Sequence, residues 1–221
     1  MQPGYADGRT RLFLIRHGET AYNRQERLAG CRDDMLTAVG HVQATALGRW
    51  LASYAPIDVM YASGLRRTHQ TAARVREQLA LPPPLHIDPT FNEMHFGEAE
   101  GLTIPEVLER FPHLAPYLAS VEPGHPDWQW PGGDWRVHYY RRIVERIRLL
   151  AQQHPGQHVA VFTHGGVING MLTWMERHLL GFTAHYTVPN CSVTEIIARD
   201  QQLSLVSLPQ TPWRDLLEAA T

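Results

Sequence analysis

Four separate stretches of the 221-residue chain place Arg, His or Glu at, or just beyond, the end of a predicted strand. The first is Arg16-His17-Gly18-Glu19-Thr20, with Asn23 following. The second is Leu65-Arg66-Arg67 with Thr71-Ala72, the third is Glu93 within FNEMHFGEAEG, and the fourth is Thr163-His164-Gly165. A phosphoryl transfer needs these residue types. A phosphomonoester carries about −1.5 to −2 charges near neutral pH on three acceptor oxygens, and planar guanidinium forks suit it best. Arg16, Arg67, Asn23 and a protonated His164 are expected to supply that donor set. A neutral imidazole can attack phosphorus and split one hard displacement into two easier ones, and His17 is the candidate. Cations around His17 disfavour its own protonation and keep it an uncharged nucleophile. The departing alkoxide needs a proton, which a carboxyl can give and later recover from the attacking water. Glu93 is expected to do this.

Each of these residues also has a plainer reading. A strand-end histidine, one of 13 in the chain, can be a hydrogen-bonded surface residue. Arg66 and Arg67 can form the solvated start of a helix, and Glu93 can pair with one of them. Gly165-Gly166 can simply ease a tight strand-to-helix turn. Joint occurrence at one edge, rather than any single residue, favours the chemical reading. A metal site built on His17 and His164 lacks an HxxxH or carboxylate pairing, and the neighbouring arginines would repel a cation.

The elements that would position these residues alternate. Arg11–Arg16, Asp58–Ser63 and His158–Thr163 read as buried strands, each ending at a glycine turn. Helical patterns follow over Thr37–Ser53, with Thr37 as N-cap, and over Leu65–Leu81, stopped by Pro82-Pro83-Pro84. A longer helix is expected from Asp134 as N-cap to a stop near His154-Pro155-Gly156, and another from just after His164 to Gly181. Cys191–Ala198 and Leu203–Leu208 read as two closing strands joined around Asp200–Gln202. This rhythm predicts an α/β fold with a mainly parallel sheet covered on both faces. In such sheets ligands bind beyond the carboxyl ends of the strands.

The segment 102–133 is rich in proline and carries Trp128 and Trp130, which suggests an insertion or lid over one edge of the sheet. Phe111, Tyr117, Trp128, Trp130 and Trp135 could form an apolar wall against a substrate, although packing beneath a loop explains them more simply. Length and composition fit one globular domain over 1–221, with 1–10 as a flexible tail. A formal charge of −2 gives no reason to expect nucleic acid or an anionic membrane as partner. All 20 basic residues are arginine, which a compositional bias of the source genome would explain. With no apolar leader or span, the cytoplasm is the expected location. Cys31 and Cys191 stand alone, so neither a disulfide framework nor a thiolate zinc site is expected.

LFLIRHGETAYN resembles the signature of the histidine phosphatase superfamily, also called phosphoglycerate-mutase-like. The resemblance continues through Gly30, DMLTAVGHVQA (Asp34–Ala44), YASGLRRTHQTA (Tyr61–Ala72), FNEMHFGEAEGLT (Phe91–Thr103), PGGD (Pro131–Asp134), VAVFTHGGVI (Val159–Ile168) and PNCSVTEI (Pro189–Ile196). It implies a three-layer α/β/α sandwich around a mostly parallel sheet. It also implies His17 as the phosphorylated residue, Arg16, Arg67 and His164 as catalytic binders of the phosphoryl group, and Glu93 as proton donor. Asn23, Gly30 and Gly165 would complete the substrate-binding set, with no metal or organic cofactor. The expected partner is a small-molecule phosphomonoester; oligomeric state, a homodimer included, stays open. Two positions depart from the family pattern: Asp134-Trp135 stands where Glu-Ser is usual, and Ala29-Gly30 replaces Gln-Gly. Both flank the pocket mouth and bear on the substrate rather than on phosphate chemistry. Members that act as mutases carry a longer segment after the Glu motif and hold a second phosphate with it. The shorter, base-poor segment here favours hydrolysis over a cofactor-dependent phosphoglycerate mutase. Retention of all five catalytic residues argues against a silent binding or regulatory module of the same fold.

Overall fold

The computed structural model describes residues 8–119, 127–180, 186–199 and 202–215. In chain order its elements are β1 (Thr10–Arg16), α1 (Ala21–Arg24), α2 (Ala38–Tyr54), β2 (Val59–Ala62), α3 (Arg66–Arg76), β3 (Leu85–Ile87), α4 (Ile104–Arg110), α5 (Ala115–Ala119), α6 (Arg136–Gln153), β4 (His158–Thr163), α7 (Gly165–Arg177), β5 (Val193–Arg199) and β6 (Gln202–Gln210). The six strands form one sheet in the order β3-β2-β4-β1-β5-β6. β1, β2, β3 and β4 run parallel, while β5 is antiparallel to both β1 and β6.

β1 reads as a continuous apolar run because both of its faces are covered. Leu12 and Leu14 enter a cluster with Tyr140, Ile143 and Ile147 of α6 and Val167, Ile168 and Met171 of α7. Phe13 and Ile15, one position out of phase, enter a second cluster with Leu47 and Leu51 of α2 and Val75 of α3. The period-2 alternation of a strand thus separates two helical layers, giving the expected α/β/α sandwich. Because β1, β2 and β4 are parallel, their carboxyl ends meet at one edge. The register pairs Arg16 with Thr163, which brings His17 and His164 out side by side.

Several boundaries differ from the sequence reading. Thr10, placed in the flexible tail, is the buried first residue of β1, and its hydroxyl donates to the carbonyls of Ala151 and His154. Residues 1–7 lie outside the described residues. α3 stops at Arg76, five residues short of the expected end, with Glu77 as its C-cap. β3 is only three residues long, below what a pattern search resolves. Asp134 does not cap α6. Its carboxylate accepts from His95 N (2.9 Å), and the capping position falls to Trp135, whose side chain cannot cap. Asp127 takes over from across a short bridge, accepting Val137 N at 3.0 Å. α7 ends at Arg177 in a left-handed cap at His178, and the expected stop at Gly181 is outside the described residues, as is the Asp200–Gln201 connection.

The described part of segment 102–133 is packed. Trp128 and Trp130 are buried in the core against Tyr117 and Phe96, and Trp130 Nε1 donates to Met94 Sδ. Trp135 is half exposed. Among the described residues no helix is long and apolar enough to cross a membrane.

Candidate active site

At the shared carboxyl edge of β1, β2 and β4 lies a cleft of about 310 Å³, lined by Arg16, His17, Asn23, Gly30, Arg67, Glu93 and Gly165. Every residue expected there except His164 lines it, and His164 forms the floor behind His17, with the two rings 5.2 Å apart.

His17 continues β1 by one residue, its N–H bonding to Thr163 O at 3.0 Å. Its Nδ1 lies 2.8 Å from Gly18 O. A carbonyl can only accept, so Nδ1 carries the hydrogen and Nε2 keeps the lone pair. Burial, then Arg67 and Arg16, holds the ring well below the usual histidine value. The expectation of an uncharged His17 therefore agrees in direction, with burial ahead of the cations as the cause.

Arg67, on the first turn of α3, is 1% exposed, and three of its donors are engaged. Nη2 bonds to Gly30 O (2.7 Å), Nη1 to Arg32 O (2.9 Å) and Nε to His164 Nδ1 (3.2 Å). One N–H on each terminal nitrogen remains. Arg16 is tied at Nη1 to Val188 O (2.5 Å), while its buried Nε has no partner among the described residues. Arg66 points away to an exposed pair with Asp33, so the choice of Arg67 from sequence agrees with the geometry.

His164 corrects one expectation. Its Nδ1 accepts from Arg67, and its Nε2 lies 2.8 Å from Ser63 Oγ, which places the ring hydrogen on Nε2. Burial, Arg67 and His17 hold it well below the usual value, so in this state it is neutral rather than a protonated phosphate donor.

Glu93 follows a turn pinned from three sides. Phe91 is fully buried, Thr163 Oγ1 donates to its carbonyl (2.9 Å), and Asp88 pairs with Arg146 of α6 at 2.6 Å. Glu93 Oε1 accepts Met94 N (3.0 Å) and lies 3.3 Å from the Tyr139 hydroxyl, while Oε2 accepts Gly166 N (3.0 Å) at the start of α7. A Cβ on Gly166 would stand 2.3 Å from Glu93 Oε1, so this glycine leaves room for the carboxylate.

Sequence reasoning missed several contributors. Asn190 Nδ2 bridges His17 O (3.0 Å) and Asn23 Oδ1 (2.9 Å), which leaves the Nδ2 end of Asn23 for the cleft. Glu100, just past the short helical turn Gly97–Ala99, accepts Cys31 N at 2.9 Å and stands where a Cβ on Gly30 would clash. Gly30, at φ +53°, is thus the hinge that lets its carbonyl hold Arg67. Cys31 is partly buried, its thiol pushed up to about 11 chiefly by that burial and secondly by Glu100. The signals for these residues are contacts across 69 to 173 positions, which one sequence does not display. The cleft mouth is lined by Leu28, Phe96, Tyr186 and Val188, with no described residue of segment 102–133.

Residues 12–211 match the histidine phosphatase superfamily, branch 1. A metal-independent phosphoserine phosphatase from Arabidopsis thaliana is 28% identical over 94% of this chain and 82% of its own length. A 2,3-bisphosphoglycerate-dependent phosphoglycerate mutase 2 from Gloeobacter violaceus is 30% identical, covering 75% of each chain. Among solved structures, a mycobacterial glucosyl-3-phosphoglycerate phosphatase is similar with a TM-score of 0.74 at 26% identity, covering 90% of this chain and 97% of that one.

Proposed function

The chain belongs to the histidine phosphatase superfamily, branch 1, and on that premise we propose that it hydrolyses phosphomonoesters of small metabolites through a phosphohistidine formed on His17. The observation that carries this reading is the His17 tautomer. Its hydrogen is committed to Gly18 O, so an unprotonated Nε2 stands between two arginines.

His17 Nε2 attacks phosphorus as the bond to the ester oxygen breaks. The free N–H groups of Arg67 and the unpaired Nε of Arg16 hold the non-bridging oxygens, where charge must be stabilised. Asn23 adds a donor, and α7 directs its N-terminus at the same place. Glu93 gives its proton to the departing alkoxide, then takes one from water as the hydroxide attacks phosphorus and the P–N bond breaks. His164 acts by holding Arg67 through its Nε.

A mutase reading draws support from the similarity to the Gloeobacter protein. Against it, returning the phosphoryl group to a sugar acid calls for a grip on a second anion. The further guanidinium at the described mouth, Arg27, is already bound to Glu106 (2.7 Å) and to Gly101 O (2.7 Å).

The test is turnover of p-nitrophenyl phosphate in EDTA by wild type and His17→Ala. Wild type should turn over and the variant should fall by about 10³-fold or more. Equal turnover would remove His17 as nucleophile. Incubation with 3-phosphoglycerate should release inorganic phosphate; isomer without phosphate release would establish the mutase instead.

A further inference from the structure

The phenol of Tyr139 has one hydrogen and two acceptors within reach. Tyr139 lies on the first turn of α6 and is 2% exposed. Its hydroxyl is 2.8 Å from Asn92 O and 3.3 Å from Glu93 Oε1. One O–H can serve only one of them well. The backbone carbonyl accepts at any pH, whereas the carboxyl oxygen becomes a strong acceptor only when Glu93 has lost its proton.

We propose that Tyr139 is a positioning residue for Glu93 whose hydroxyl follows the charge on the carboxyl. It donates to Asn92 O while Glu93 holds its proton on Oε2, the oxygen that meets Gly166 N. It turns to Oε1 once that proton has gone to the departing alkoxide. The phenol keeps its own hydrogen throughout, so the only protons transferred are the one from Glu93 to the alkoxide and the one from water back to Glu93. The donor arrives where charge develops, which lowers the barrier more than it stabilises the resting state. This proposal rests on the reading of Glu93 as acid and base given above.

The surroundings fit such a part. Burial, with Glu93 and Tyr140 beside it, keeps the phenol well above its ordinary value and therefore neutral, against the opposing pull of Arg142. Glu93 is faced by Arg16 from β1, Arg67 from α3, Gly166 N from α7, Met94 N from its own loop, and the Cys31 thiol, which donates to its carbonyl. Among the described residues Tyr139 is the one hydroxyl within hydrogen-bond distance of this carboxyl, and the one donor there with an alternative acceptor.

The experiment compares an alkyl ester, glycerol 3-phosphate, with an aryl ester, p-nitrophenyl phosphate, in wild type, Tyr139→Phe and Glu93→Gln across a range of pH. Nitrophenolate leaves without a proton, so only the alkyl ester depends on the acid. The alkyl-to-aryl ratio of kcat/KM, which reports the step that forms the phosphohistidine and not the later hydrolysis in which Glu93 serves both esters as base, is taken within one preparation, so any loss of folded protein cancels. Tyr139→Phe should lower that ratio roughly tenfold, the usual consequence of losing one hydrogen bond to a charged group. It should also move the pH limb of the alkyl reaction upward, since a carboxylate that loses a donor is harder to form. If Glu93→Gln lowers the ratio while Tyr139→Phe leaves ratio and limb unchanged, the proposal fails and the reading of Glu93 stands. If neither variant lowers the ratio, the acid role of Glu93 fails and the proposal falls with it.

Discussion

The two ends of the cleft are built on different terms. At the inner end, Arg67, His17 and His164 are 1%, 4% and 0% exposed, and each is tied to backbone or to another of the set. At the mouth, Leu28, Phe96 and Tyr186 are partly exposed, and the one guanidinium among the described residues there, Arg27, is paired with Glu106, itself on the surface. The inner end therefore has one geometry, enforced by groups that cannot be left unpaired when buried. The mouth offers apolar contact and shape, which discriminate between ligands weakly. A fold divided in this way fixes its reaction and leaves its substrate adjustable.

The strongest way to break this division is to disturb the inner end without harming the fold. Gly166→Ala does so. An added Cβ would lie 2.3 Å from Glu93 Oε1 and 3.0 Å from its Cδ, and the far end of a glutamate is what can move aside. Alanine suits a helix better than glycine, so α7 should be at least as stable. With the carboxyl displaced by about an ångström, kcat/KM on alkyl phosphates should fall roughly 10- to 100-fold, with a much smaller loss on p-nitrophenyl phosphate. Unchanged alkyl turnover at normal thermal stability would mean that the placement of Glu93 is not critical.

The buried histidines give the inner end a second signature, in stability rather than rate. His17 and His164 are both held well below the ordinary histidine value of about 6.5. Above that value both rings are neutral, folded or unfolded, and contribute nothing to the pH dependence. Below it the unfolded chain binds protons that the folded one refuses, so stability falls as pH falls. Each ring contributes up to about 1.4 kcal/mol per pH unit. Urea unfolding at about pH 7 and about pH 5 should show this loss, and His17→Ala should remove a substantial part of the slope. An unaltered slope in the variant would show that His17 is not held neutral by the fold.

The same division explains what could be read in advance. β1, β4, the Thr37 cap and the residues Arg16, His17, Arg67, Glu93 and His164 are local signals: an apolar run that stops, a capping hydroxyl, a charged residue at a strand end. The supports are not local. Tyr139 reaches Glu93 from 46 positions away, and Asn190 reaches His17 from 173. The protonation state of His164 depended on its partners on both ring nitrogens, Ser63 and Arg67, which residue type alone does not give. For Trp128 and Trp130 the simpler reading, packing beneath a loop, is the one the structure bears out, although composition alone does not distinguish an apolar wall from an apolar floor. Phe96, which does line the cleft, sits in the Glu93 motif, where nothing local distinguishes a cleft-lining aromatic from a buried one.

The smallest expected effect sharpens the comparison at the mouth. Arg27 lines the cleft but is held in two places, by the Glu106 carboxylate and by Gly101 O. Glu106 also closes the cap of α4 by accepting Thr103 N at 2.8 Å, a bond that a glutamine oxygen can keep. Glu106→Gln therefore removes the charge on Arg27's partner while retaining the cap. The guanidinium, still bonded to the retained oxygen and to Gly101 O but no longer facing a carboxylate, should favour esters that carry a second anion, such as phosphoserine or 3-phosphoglycerate, over neutral ones such as glycerol 3-phosphate. Exposed pairs of this kind are worth about 0.2–1 kcal/mol, so kcat/KM for the acidic esters should rise about 2- to 5-fold relative to the neutral ester, through KM rather than kcat. A change in kcat would mean that the mouth reaches into the chemistry and the two ends are not separate. No change in either constant would mean that Arg27 does not meet the organic part of the substrate, leaving selectivity there to the apolar contacts of Leu28, Phe96 and Val188.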